Sequence, residues 1–114
     1  MPRTVEVEPE RVVIQLSGWT MLAALKREVV VPRRAIRRVA TGPWVDDGWR
    51  VAGSAIPWTD YRQGRFRSHG RKVFLSFEDR HRVVVLEVDR DAVGFDIVVV
   101  GVEDPETVVA ELRT

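Results

Sequence analysis

The sequence has no cysteine, which removes disulfide frameworks, thiolate nucleophiles and Cys-based zinc sites in one step. Histidine is nearly absent as well: His69 and His81 are the only two. The stretch "MPRTVEVEPE" lacks the apolar core of a secretion signal. The longest apolar run, "VGFDIVVVGV", is broken by Asp96 and is too short to span a bilayer. Gly42, Gly48 and Gly53 fit no nucleotide-binding loop. These absences lead us to expect a soluble, cytoplasmic chain with no cofactor and no transmembrane segment. Lysine is also scarce, with two Lys against 16 Arg. That balance suits bidentate anion recognition, although a GC-rich genome produces the same bias.

What is present points to β structure. There are 22 valines among 114 residues, and β-branched side chains fit a pleated, half-buried surface better than a helix. The length is that of one domain, residues 1–114. Net charge is +1, but the two signs are unevenly placed. Residues 1–82 hold 16 basic and 9 acidic groups, and residues 83–114 hold 2 and 8. The chain is therefore dipolar, a feature relevant to anion binding or self-association.

Along the chain, "TVEVE" (4–8) alternates apolar and acidic residues as a one-sided strand does. "RVVIQLS" (11–17) predicts the next strand, and "GWTMLAALKRE" predicts a short helix near residues 18–26. Such a helix is too short to stand unless it packs on a sheet. Strands are predicted at 28–32 and 35–41, the second with a bulge because Ile36 and Val39 break strict alternation. Residues 42–58 are rich in Gly, Pro and Trp and form a long connection holding a short strand near Ser54–Ile56. A hairpin follows: Arg65, Phe66 and Arg67 alternate, Ser68-His69-Gly70 turns, and Val73, Leu75 and Phe77 return on one face. "RVVVLEV" and "FDIVVVGV" predict the last strands. Asp104 as N-cap, Pro105 at the first position and Val108, Val109 and Leu112 on one face predict a C-terminal helix.

The order "ERVVIQLSGWTMLAALKREVVVPRRAIRRV", then "GWRVAGSAIP", Gly64 with Phe66, "GRKVFLSF", "RVVVLEV" and "VVVGVEDPETVVAEL" resembles bacterial pleckstrin-homology-like (PH-like) domains, from about Glu10 to Leu112. The resemblance implies two roughly orthogonal antiparallel sheets closed by the C-terminal helix, with no shared catalytic residues. Ser54 and Arg65 stand where that pattern more often has Thr.

Ser68, His69 and Asp60 invite comparison with a hydrolytic triad, but sequence neighbours in a turn point apart and no oxyanion hole is evident. His81 beside Asp79, with Asp46-Asp47 elsewhere, has no metal-ligand spacing. No catalytic or metal residues are assigned, and an enzyme is not expected. Two basic groups remain. Arg33, Arg34, Arg37 and Arg38 form one; the other includes Arg62 and the candidate anion-binding residues Arg65, Arg67, Arg71 and Lys72. Charge of this kind also solubilises a hairpin and guards a sheet edge. Nucleic acid is not expected, because stacking aromatics do not interleave with the cations. Trp44, Trp49 and Trp58 are candidate interface residues if exposed and core if buried. The expectation is a non-enzymatic interaction module that binds a protein partner or self-associates. Its alternative binds an anionic lipid headgroup or phosphate.

Overall fold

The computed structural model describes residues 3–45, 49–56 and 59–113, with Trp49 as backbone only. The chain is mainly β, in two sheets with a C-terminal helix. Among the described residues, no helix is long and apolar enough to cross a membrane.

Strands β1 (Arg3–Val7), β2 (Arg11–Leu16) and β3 (Glu28–Pro32) form an antiparallel meander, with helix α1 (Gly18–Ala24) inserted between β2 and β3. A 3-10 turn at Arg33–Ala35 leads into β4 (Ile36–Thr41). The second sheet also holds β5 (Trp49–Ala55), β6 (Arg62–Ser68), β7 (Arg71–Phe77), β8 (Val83–Val88) and β9 (Ile97–Gly101). Its order is β4-β8-β9-β7-β6-β5. Helix α2 (Arg90–Val93) links β8 to β9, and α3 (Pro105–Leu112) ends the chain.

Local chemistry explains the clearest elements. His69 and Gly70 both hold positive φ, 52° and 78°, so a two-residue turn of the kind that matches strand twist joins β6 to β7. Asp104 accepts from the Thr107 amide (3.3 Å) and, at its other oxygen, from the Thr107 hydroxyl (2.6 Å), with Pro105 at the first helical position. These hydrogen bonds hold the Asp104 carboxyl below the ordinary carboxylate range. The irregularity expected in β4 falls between Ile36 and Arg38. The strand expected near Ser54–Ile56 is longer and begins at Trp49.

One pairing departs from the antiparallel pattern that the resemblance implies. β7 and β9 run parallel, Val73 facing Ile97 through Ser76 facing Val100. The crossover through β8 and α2 brings β9 back beside β7, and β8 closes the other side antiparallel. Sequence alternation gives each strand's faces but does not show which distant strand lies alongside.

Both faces of the second sheet are apolar. Phe74, Val84, Leu86, Val98 and Val100 pack against Val12, Ile14, Val29 and Val31 of the first sheet and Val109 of α3. The opposite face carries Phe66, Val73, Leu75, Phe77, Val83, Ile97 and Val99, against which Trp44, Ala55 and Val85 pack. Fully burying side chains of this size contributes roughly 1.5–3 kcal/mol each. This double core explains the near-continuous valine runs of β8 and β9.

Candidate functional site

Strand β6 is the exception to this apolar pattern. Residues directly opposite in an antiparallel pair share a face. Phe66 lies opposite Val73, and the alternate set Gln63, Arg65 and Arg67 lies opposite Ser76, Phe74 and Lys72. The side of β6 shared with Phe74 is thus polar along its length, and its two ends do different things.

At one end the polarity is internal. Arg3 is 8% exposed; it donates to Ser76 Oγ at 3.0 Å, to the Gly101 carbonyl at 3.0 Å, and to both carboxylate oxygens of Glu78. Ser76 Oγ donates to Gln63 Oε1 at 2.7 Å, and Gln63 Nε2 donates to Glu78 at 3.1 Å. Gln63 and Ser76 are wholly buried, and this network satisfies them as buried polar groups require. It ties β1 of the first sheet to β7 and β9 of the second.

At the other end the charges are not matched. Arg65, Arg67 and Lys72 line a cavity of about 390 Å³ together with Lys26, Phe66 and Phe95. None of these four cations forms an ion pair among the described residues. The Lys26 ammonium lies 5.8 Å from the centre of the Phe95 ring, close enough for a cation–π contact. Phe95 in turn meets Phe74 at 5.4 Å between centroids. Arg67 and Lys72 stand directly opposite across the hairpin, a like-charge pairing that costs stability. Asp96 lies near this rim without balancing it. Its carboxylate accepts from Arg90 and from the Lys72 backbone N–H (2.8 Å), and the Arg90 contact holds it below the ordinary carboxylate range.

Helix α1 carries Lys26 to this rim, and a glycine pair seats the helix. Gly53 and Gly64 face each other across β5 and β6; a Cβ on Gly64 would fall 2.3 Å from the Ala52 carbonyl oxygen and 3.2 Å from that of Ala24. The small residues Ala23 and Ala24 are buried, and Ser54 Oγ donates to the Ala23 carbonyl at 2.9 Å. Leu25 then ends the helix in the left-handed region, φ 56°. The chain bends there and Lys26 turns over Phe95.

Of the four candidate anion-binding residues, Arg65, Arg67 and Lys72 line one cavity. Arg71 belongs to the opposite face of β7, in register with Val73, and lies 3.8 Å from Glu87. Lys26 joins the group from 39 residues before Arg65, and no sequence spacing announces it. The other basic group also gathers, Arg33, Arg37 and Arg38 lining a cavity of about 300 Å³ with Arg113, but its cations are engaged. Arg33 donates to the Glu111 carbonyl at 2.9 Å, Arg113 donates to the Val39 carbonyl at 3.1 Å, Arg37 lies 3.9 Å from Asp89, and Arg38 lies 3.6 Å from Glu87.

Trp44 is half-buried against the second core cluster; the Trp49 side chain and Trp58 lie outside the described residues. Asp60 precedes β6 and His69 follows it, so the strand holds them roughly 20 Å apart and no triad forms. Asp60, Asp79 and His81 do gather, with ligand atoms within 4.8 Å of one another. Their oxygens accept from the backbone N–H groups of Arg80 (3.3 Å) and His81 (2.9 Å), and the His81 contact lowers the Asp79 pKa. Asp46-Asp47 lies outside the described residues. A cavity of about 650 Å³ lies between β1 and α3. Several charges on its wall are already engaged: Arg3 with Glu78, Asp104 with Thr107.

The fold and site define a mainly-β protein with a basic mouth at one end of a β-hairpin. Comparison with protein-family models, curated proteins and solved structures finds no match to this chain.

Proposed function

We propose that the protein is a non-enzymatic binding module whose basic mouth holds a phosphate-type anion. The carrying observation is that Lys26, Arg65, Arg67 and Lys72 line one cavity and have no ion-pair partner among the described residues. Guanidinium groups present fixed forks of N–H donors to an oxyanion, and two ammonium groups add point charge. A bound anion also relieves the repulsion between Arg67 and Lys72, so the charges that destabilise the free protein become the affinity for the ligand. Among the described residues, the cavity wall has no carboxylate, hydroxyl or imidazole, which supports binding over catalysis. The PH-like relationship and a cytoplasmic location belong to this proposal. The parallel β7–β9 pair departs from the sheets that relationship implies, so support for the anion comes from the cavity's own residues.

Binding a protein partner or a second copy, the first expectation from sequence, has less to stand on. Of its three loop tryptophans, Trp44 packs on the core and the others lie outside the described side chains. The test is a thermal-shift titration of the full chain with inorganic tripolyphosphate at low and high salt. The expected result is stabilisation that fades as salt rises and vanishes in the Arg65→Glu/Arg67→Glu variant. Equal stabilisation of that variant would refute the reading.

A further inference from the structure

The feature left unexplained is the outward face of α1. Trp19, Leu22 and Leu25 recur every three residues and are 74%, 61% and 67% exposed. Val51, on the edge strand β5 beneath the helix, is 58% exposed. The helix buries Thr20, Ala23 and Ala24, with Met21 partly buried against the core, and presents Trp19 and Leu22 to solvent, so most of its hydrophobic bulk faces away from the sheet. Leu25 also occupies a left-handed position where glycine is the preferred residue. The stripe runs directly into Lys26, and Val51 lies on the wall of the basic cavity.

We propose that this face docks on an anionic bilayer, with Trp19, Leu22, Leu25 and Val51 entering the headgroup boundary and Lys26, Arg65, Arg67 and Lys72 on lipid phosphates. The proposal rests on the anion-binding reading above and identifies the source of the anion. Charge complementarity selects the occupant. The apolar stripe is bordered by cations with no ion-pair partner among the described residues, and the nearby carboxylate, Asp96, is held by Arg90. Apolar side chains beside Lys and Arg on one face are what binds a helix in the plane of an anionic interface, and Trp is at home at headgroup depth. The stripe is far too short to span the bilayer, so attachment is peripheral and reversible.

The test uses the full chain and two probes. One is co-sedimentation with vesicles of phosphatidylcholine alone or mixed equally with phosphatidylglycerol. The other is tripolyphosphate in the thermal-shift assay. The expected result is binding to the mixed vesicles at low salt and none to phosphatidylcholine alone. Arg65→Glu/Arg67→Glu should lose at least about 100-fold in partitioning, since each cation near the surface contributes on the order of a fivefold factor and each reversal counts twice. Trp19→Ser/Leu22→Ser/Leu25→Ser changes only exposed side chains. It should lose at least about tenfold on vesicles while keeping the full tripolyphosphate shift. Wild-type protein that responds to tripolyphosphate but ignores mixed vesicles overturns the bilayer and leaves the anion reading standing. Failure with both probes overturns both. A triple variant that sediments like the wild type removes the apolar face from the account. A wild-type dimer in light scattering that the triple variant makes monomeric overturns the bilayer in favour of a second copy.

Discussion

Replacing Lys72 with Glu sets stability against function in one residue. Lys72 faces Arg67 directly across the β6–β7 hairpin, where cross-strand Cβ atoms are roughly 5 Å apart. Two unit charges at about 5 Å in water repel by roughly 0.8 kcal/mol. Physiological salt, with a screening length of about 8 Å, roughly halves that. Reversing the sign of one partner turns a repulsion of about 0.4 kcal/mol into an attraction of the same size. Both side chains reach solvent and can splay apart, so this swing of about 0.8 kcal/mol is an upper figure. In a domain of this size it raises Tm by roughly 3 °C. The same substitution removes one cation from the cavity and places an anion there, so tripolyphosphate should no longer stabilise the variant. The assay is a pair of melting curves, wild type and Lys72→Glu, each with and without tripolyphosphate. The curves should cross: the variant melts higher without the anion and lower with it. A variant that melts below the wild type in its absence, or that gains as much from it, would refute the reasoning.

Other consequences can be measured by urea denaturation. Gly64→Ala puts a Cβ 2.3 Å from the Ala52 carbonyl oxygen at a φ of +120°; it should cost at least about 3 kcal/mol and reduce tripolyphosphate binding by unseating α1. Arg3→Ala leaves Ser76 and the Gly101 carbonyl without a buried donor. It should cost about 2–3 kcal/mol, yet leave tripolyphosphate affinity within about twofold, because this network sits at the other end of β6. The depressed carboxyl of Asp96 contributes stability that is full above the ordinary carboxylate pKa near 4 and is lost as pH falls through its lowered value. Asp96→Asn should therefore be less stable at neutral pH and lose less on acidification; parallel acid limbs in the two proteins would contradict this.

Much of the local structure was legible because it follows from short-range rules. The cap residues Asp104 and Pro105 mark the start of α3. The apolar alternation of Val73, Leu75 and Phe77 gives a buried face of β7, and Ser68-His69-Gly70 gives the turn. Period two also held the answer for Arg71. Arg65 and Arg67 share one face, a two-residue turn puts Lys72 opposite Arg67, and Arg71 must then point the other way. What was not legible depends on contacts between distant segments. No local pattern pairs β7 with β9 in parallel or brings Lys26 over Phe95. The Trp19, Leu22 and Leu25 spacing marks an apolar helical stripe, but only the Gly53–Gly64 seat shows that the alanine face packs inward.

The central claim, an oxyanion held between α1 and the β6–β7 hairpin, is tested most directly by backbone amide NMR during a titration with tripolyphosphate. Saturable shifts should concentrate at Lys26, Arg65, Arg67, Lys72 and Gly94, with the partnered cluster at Arg33, Arg37 and Arg38 unmoved. Shifts spread evenly over both basic clusters, or no saturation, would contradict it.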